Sequence, residues 1–179
     1  ENRSIPEFLK GKAGESLLCA GDTIVTPPLK QNRNDADARS LKKLMVKFLN
    51  QVSDFDQVFF IMGNHEHYHG HLQSSAMILR EFIKSHGFDS DKYVVLDNDV
   101  VRLRDDTLLV GATLWTDMRR DNPQSHLYVG RGMNDFRLIQ YGDRDEVGMA
   151  PIFTTYHALE EHRKSLTFIE SVVGSNLDK

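Results

Sequence analysis

The chain has 179 residues, 40% hydrophobic and 27% charged, which suits a globular domain with a sizeable core. Its formal net charge of −4 gives no support for a basic nucleic-acid surface. No run of about 18 apolar residues indicates a membrane-spanning helix, and no signal-peptide pattern is visible.

The first half of the chain alternates between strand and helix patterns. In chain order we predict strand 16–20, a helix over 41–52, strand 57–62 and a helix over 72–83. Gly87 is a plausible stop for the second helix. This order predicts parallel strands joined by crossover connections, and so an α/β fold. The single cysteine, Cys19, excludes an internal disulfide, fits a reduced cytoplasmic setting, and is expected to be a small buried residue.

The second half has a different pattern, although we treat residues 1–179 as one domain. Short strands are predicted at 93–96, 100–103 and 107–111, with Asp105-Asp106 as a hairpin turn. Residues 116–150 show no periodicity, and we predict a long loop or insert near the functional site. A last amphipathic helix is predicted at 154–173.

Polar side chains follow both strands of the first half where each strand ends. Asp22 follows Gly21, and Asn64, His65 and Glu66 follow Gly63. Because ligands bind beyond the carboxyl ends of parallel strands, these residues are expected to share one metal site. The simpler interpretation is that Asp22 and Asn64 are turn or cap residues. Glu66 is expected either to hold His65 by a hydrogen bond or to cap the next helix.

A second motif overlaps the first. His65-Glu66-x-x-His69 matches the zinc-hydrolase pattern, which needs a helix over 64–70. Alternatively, an extended segment would place His65, His67, His69 and His71 on one side, suited to nickel or zinc. Taken singly, the last three are expected to be solvated loop residues. The remaining histidines are expected on the surface or on helix faces: His86, His126, His157 and His162.

With both motifs placed after strands, the chain resembles the calcineurin-like metallophosphoesterase superfamily. The stretches 111–117 and 133–136 resemble its bacterial-type, uncharacterised branch. The resemblance runs from about residue 16 to about residue 170. It implies a four-layer α/β/β/α sandwich, incomplete at both ends in this chain.

The resemblance also implies a chemistry and residue roles. Asp22 would bridge two divalent metal ions (manganese, iron, zinc or nickel), and Asn64 would bind one of them. His65 would stabilise the phosphate or protonate the leaving oxygen, and Glu66 would orient His65. The implied activity is phosphoester hydrolysis, as a phosphatase or phosphodiesterase, on a small-molecule or nucleotide substrate. Phosphate contacts are expected from arginines of residues 116–150: Arg119, Arg120, Arg131, Arg137 and Arg144.

The sequence departs from the family at both ends. The family's Asp-x-His before Gly21-Asp22 is absent, and no Gly-His-x-His follows residue 71. We therefore expect a partial chain, with weak metal binding and little or no activity by itself. The alternative from another functional class is a non-catalytic interaction domain on the same fold. The sequence does not determine the oligomeric state.

Overall fold

Three parallel strands in the order β1-β2-β4 form the largest sheet of the protein. The structure is a computed structural model and describes residues 14–104, 106–142 and 150–175. The seven strands are β1 (Ser16–Ala20), β2 (Gln57–Ile61), β3 (Gly70–His71), β4 (Tyr93–Leu96), β5 (Asp99–Arg104), β6 (Thr107–Gly111) and β7 (Ile139–Gln140) among these residues. The helices described are α1 (Ala36–Gln51), α2 (Ser75–Ser85), α3 (Met118–Asp121), α4 (Pro123–Gly132), α5 (Asp135–Leu138) and α6 (Thr155–Gly174).

The predicted parallel pairing of the first half is confirmed. Leu18 of β1 pairs with Phe59 of β2, which pairs in turn with Val94 of β4. Helix α1 connects β1 to β2 and begins where the Asp35 side chain accepts a hydrogen bond from the Ala38 amide. Crossover helices of this kind let consecutive parallel strands lie side by side, as the strand–helix order requires.

Helix α2 ends at the glycine that the sequence indicated. Gly87 has a φ of +78°. Its N–H donates to the carbonyl of Lys84, and the N–H of Phe88 donates to the carbonyl of Ile83. This is the Schellman arrangement, which needs a residue in the left-handed region, and glycine adopts that region without strain.

Strands β5 and β6 form the predicted antiparallel hairpin. Val100 pairs with Val110, and the register shifts between Arg102 and Arg104. Of the predicted turn residues, Asp105 lies outside the described residues, and Asp106 precedes β6 in a turn. The fold is therefore mixed α/β, with a parallel sheet and a separate hairpin.

The prediction of a long loop over 116–150 is wrong for most of its described residues. Met118 to Gln140 contains α3, α4, α5 and β7, and residues 143–149 lie outside the described part. Strand β7 pairs in parallel with β3 through Gly70 and Ile139. No long periodic run marks this segment because its elements are ten residues or shorter and their apolar side chains are separated along the chain.

Two clusters of buried side chains form the core. The larger one joins the parallel sheet to α1 and α2 through residues such as Leu49, Phe60 and Phe82. The smaller one packs Trp115, Ile139 and Phe153 against Ala158 of α6, with the Trp115 and Phe153 rings 4.7 Å apart between centroids. Packing in this second cluster stabilises the described part of residues 116–150, for which the sequence shows no periodicity. Across residues 14–104, 106–142 and 150–175, no helix combines the length and apolarity that crossing a membrane requires.

Candidate functional site

The ends of β1 and β2 meet through two glycines. A Cβ on Gly21 would lie 2.9 Å from the Cα of Gly63, and a Cβ on Gly63 would lie 2.6 Å from the Asp22 backbone nitrogen. Gly21 also has a φ of +89°. The two loops can approach this closely only because neither position carries a side chain. The convergence expected from the strand order is present.

Asp22 lies at the surface of this junction in an uncommon backbone conformation. Its φ is +55°, a region that Asp tolerates better than most residues. Its Oδ1 accepts a hydrogen bond of 3.2 Å from the His65 amide, and its Oδ2 lies 3.8 Å from His65 Nδ1. The Asp22 side chain is about half exposed, so its carboxylate can also bind a ligand from solvent.

The Glu66 side chain has different partners from those expected. Its Oε2 accepts from the amides of Asp22 at 2.9 Å and Gly63 at 2.8 Å. Its Oε1 accepts from the amides of Thr23 at 2.5 Å and Ile24 at 3.3 Å. No described hydrogen bond joins this carboxylate to the His65 ring or caps α2. Glu66 therefore has neither predicted role, and it binds the backbone amides of the two loops instead. Glu66 is 1% exposed and ties the two loops together.

Asn64 belongs to a partly buried polar group whose buried member, Asp135, was not among the predicted site residues. Its Nδ2 donates to Asp135 Oδ1 at 2.8 Å, and the Tyr68 hydroxyl donates to Asp135 Oδ2 at 3.3 Å. Asp135 is 1% exposed although it is a carboxylate. The sequence of the stretch 133–136 does not indicate this role. Its one local signal is an Asn-Asp pair before an aromatic residue.

The segment 64–70 does not form the helix that a zinc hydrolase of the His-Glu-x-x-His type needs. His65–His67 is one turn of 3₁₀-helix, Tyr68 is extended, and His69 has a φ of +61°. His65 and His69 therefore do not lie one α-helical turn apart on a common face. The alternative prediction placed His65, His67, His69 and His71 on one side of an extended segment. It is also wrong, because residues His65–His67 are helical.

His67 is buried rather than solvated, against expectation. It is 1% exposed, neither ring nitrogen makes a hydrogen bond of normal geometry, and its ring lies 6.1 Å from that of Trp115. Burial lowers the pKa of His67 to about 4, and the backbone of Leu72 opposes this shift without cancelling it. His67 is therefore a neutral core residue at neutral pH.

The burial of His67 predicts a pH-dependent loss of stability. Its pKa is about 4 in the folded protein, against 6.5 for an unperturbed histidine, so the unfolded chain takes up the proton first as the pH falls. The free energy of unfolding should then drop by about 3 kcal/mol between pH 7 and pH 4. In urea unfolding, His67→Phe should remove that part of the pH dependence, whereas His86→Gln should keep it. Equal pH dependence in all three proteins would contradict the burial of a neutral imidazole.

His126 lies on helix α4, as the helix-face alternative predicted, and its side chain is buried. Its Nε2 lies 2.9 Å from Asp121 Oδ1, and its Nδ1 lies 2.9 Å from Thr155 Oγ1. Asp121 ends α3, whose four residues all have φ between +51° and +63° and so form a left-handed turn. The contacts of His126 hold this strained turn against α6. They indicate a structural role for His126.

The predicted phosphate-binding arginines lie at the surface wherever the structure describes them. Arg119, Arg120, Arg131 and Arg137 are exposed, and Arg144 lies outside the described residues. The guanidinium of Arg137 donates to the backbone carbonyl of Arg131. No described hydrogen bond or ion pair joins the four to Asp22, Asn64 or His65. Their role in substrate binding remains a prediction.

Cys19 is half-buried beside the junction. Burial, followed by the nearby Glu66 carboxylate, raises the pKa of its thiol to about 11. The thiol is therefore protonated at neutral pH and is a poor nucleophile. This agrees with a packing role.

The junction offers few side chains that could bind a metal ion. Within the described ranges, no group of three or more His, Cys, Asp and Glu side chains is arranged to hold a metal ion. Asp22 and His65 are two such side chains, and Asn64, which precedes His65 in the chain, adds a neutral amide oxygen as a possible donor. These residues can supply part of a cation site.

Comparison with known proteins gives one distant relative. The chain is 25% identical over 109 residues to "Uncharacterized protein L509" of Acanthamoeba polyphaga mimivirus. The match covers 59% of this chain and 37% of the viral protein, so it spans well under half of that relative. No family model matches the chain, and no solved structure matches it.

Proposed function

We propose that this chain carries the core of a metal-dependent phosphoester hydrolase, a phosphatase or phosphodiesterase with a dinuclear centre. The proposal depends on one observation: the loops after β1 and β2 meet, with Asp22 and Asn64–Glu66 at the junction. It includes a four-layer α/β/β/α sandwich, to which the parallel sheet and the β5–β6 hairpin would contribute one sheet each. A cytoplasmic location belongs to the same proposal.

The residues present fit part of such a centre. A half-exposed carboxylate, an amide oxygen and an imidazole are donors that divalent manganese, iron, zinc and nickel accept. Asp22 and Asn64 would hold the ions, and two protein ligands hold a pair of hydrated cations only weakly. When bound, the metal ions supply Lewis-acid activation of water and of the phosphoryl oxygen.

The chain's own residues would then have separate tasks. His65 is exposed, with its ring 4.5 Å from the Tyr68 ring between centroids and Nδ1 3.8 Å from Asp22 Oδ2. These neighbours orient the imidazole at the surface, where it can stabilise a bound phosphate or protonate the leaving oxygen. Glu66 would act indirectly, without touching the substrate or the metal ions. Its carboxylate fixes the loops that carry Asp22 and Asn64.

Removal of the Asp22 carboxylate tests the proposed metal site. We expect Mn²⁺ to broaden the amide NMR signals of residues 21–24 and 63–66 of the 179-residue chain through a weak site. Asp22→Ala should lower the apparent Mn²⁺ affinity by more than about tenfold. The matched control is Asp37→Ala, which removes an exposed carboxylate from α1 and should bind as the parent does. Equal binding by all three proteins would remove Asp22 from the site and end the proposal.

A non-catalytic interaction domain remains the second candidate, favoured by the small donor set of the described residues. The sequence encoded upstream and downstream of these 179 residues distinguishes the enzyme from the interaction domain. Asp-x-His upstream of residue 16 together with Gly-His-x-His beyond residue 179 supports the enzyme, and the lack of both supports the interaction domain. A protein with both motifs should hydrolyse an aryl phosphodiester with Mn²⁺, and His65→Ala should lower its kcat by about 10² or more.

A further inference from the structure

We propose that Asp135 is a positioning residue that fixes which way the Asn64 amide faces, so that Asn64 Oδ1 is the atom offered to a cation. The proposal rests on the proposed function, because it assigns how one predicted metal ligand is oriented. It also assigns a role to Asp135, for which the sequence indicated none.

The geometry places a carboxylate directly behind the amide. Asp135 begins α5 and is 1% exposed, and its Oδ1 lies 2.8 Å from Asn64 Nδ2. Tyr68 completes the group, since its hydroxyl is 3.3 Å from Asp135 Oδ2 and 3.5 Å from Asn64 Nδ2. Both carboxylate oxygens of Asp135 therefore have a donor.

This arrangement permits only one orientation of the amide. An ionised carboxylate accepts hydrogen bonds and cannot donate them, so it pairs with the NH₂ of Asn64. If the amide turned over, its oxygen would face the buried Asp135 carboxylate, and two acceptor oxygens would lie against each other with no proton between them. The NH₂ is therefore directed at Asp135 and Oδ1 is directed away. No described hydrogen bond uses that oxygen.

Charge supports the same assignment. Buried carboxylates are normally paired with cations, yet the described partners of Asp135 are a neutral amide and a neutral phenol. The Asp22 carboxylate accepts from the His65 amide and the Asp135 carboxylate accepts from the Asn64 side chain, so two carboxylates lie at the junction where a cation would bind.

The decisive variant keeps the shape of Asp135 and changes its hydrogen bonding. In Asp135→Asn the new amide can donate to Asn64 Oδ1, so the Asn64 amide is free to turn over. We expect the apparent Mn²⁺ affinity, from broadening of the amide signals of residues 21–24 and 63–66, to fall about tenfold. Asp121→Asn, which removes a carboxylate from the same half of the chain, should bind Mn²⁺ as the parent does.

An exchange of the two side chains provides the rescue. In the double variant Asn64→Asp with Asp135→Asn, the new amide at 135 donates to the carboxylate at 64 and accepts from Tyr68. One carboxylate oxygen at 64 is then left for the cation, and the total charge is unchanged. Mn²⁺ binding should return close to that of the parent. A loss caused only by damaged packing would not be recovered by this exchange.

A metal-free measurement covers the case in which a variant does not fold. In the parent, the Asn64 side-chain NH₂ should exchange with solvent more slowly than that of exposed Asn122. Equal exchange of the two would overturn the role of Asp135, as would unchanged Mn²⁺ binding by folded Asp135→Asn. Failure of the exchanged pair to recover binding would also overturn it. If the parent itself shows no Mn²⁺ broadening while the slow exchange is present, it is the proposed function that fails.

Discussion

Glu66→Gln is expected to destabilise the protein by about 3 kcal/mol. The Glu66 carboxylate accepts hydrogen bonds from four backbone amides, those of residues 22, 23, 24 and 63. Hydrogen bonds to a charged group contribute about 1.5–3 kcal/mol each, and a buried unsatisfied donor costs about 1–3 kcal/mol. A glutamine keeps one oxygen but turns an NH₂ group toward amides that need an acceptor. Urea unfolding at pH 7 measures the loss.

The matched control is Glu81→Gln, which makes the same chemical change on the exposed face of α2. Its free energy of unfolding should stay within about 0.5 kcal/mol of the parent. Glu66→Gln should also broaden or shift the NMR signals of residues 21–24, because the loop after β1 loses its attachment to the loop after β2. A variant as stable as the control would mean that the carboxylate does not hold the two loops.

The sequence was sufficient to predict where this junction forms. Apolar runs ending in Gly21 and Gly63 marked the carboxyl ends of two strands, and the strand–helix order required those strands to lie in parallel. The rule that such ends share one edge of a sheet then placed Asp22 near Asn64. These are local patterns joined by one topological rule, and for that reason they could be read from the chain.

The role of Glu66, which is to accept hydrogen bonds from both loops, could not be predicted in the same way. The expected partners, His65 and the next helix, are neighbours in the chain, whereas three of its four amide partners lie more than forty residues away. Its backbone carbonyl is also held across the junction, by the amide and hydroxyl of Thr26. Such pairings depend on how two loops are folded against each other, which no spacing in one segment reports.

Residues 116–150 illustrate a second limit. Their elements are short, and α3 is left-handed, so neither a helical nor a strand period develops. The described part of this segment, residues 116–142, is held by the packing of Trp115 and Phe153 against α6 and by the contact of Asp135 with Asn64. Tertiary packing determines this structure, while local preference contributes little. The position of Asp135 at the candidate site follows from that packing.

A methyl group on either glycine of the junction should be as damaging as the loss of the Glu66 carboxylate. In Gly63→Ala the new Cβ would lie 2.6 Å from the Asp22 backbone nitrogen and closer still to its Oδ1. The side-chain oxygen can move, but the backbone atom belongs to a loop held by Glu66. We expect a loss of about 3 kcal/mol in urea unfolding, together with displacement of Asp22 and weaker Mn²⁺ binding.

Gly21→Ala combines two effects that a matched variant separates. Gly21 has a φ of +89° and its Cβ would meet Gly63 Cα at 2.9 Å, whereas Gly14 has a φ of +88° and open space around it. Gly14→Ala therefore measures the backbone strain alone, about 1 kcal/mol. Gly21→Ala should exceed it by about 2 kcal/mol, because the excess is the contact between the two loops. Equal losses in the two variants would mean that the loops can separate without penalty, and the shared site of Asp22 and Asn64 would then lose its structural basis.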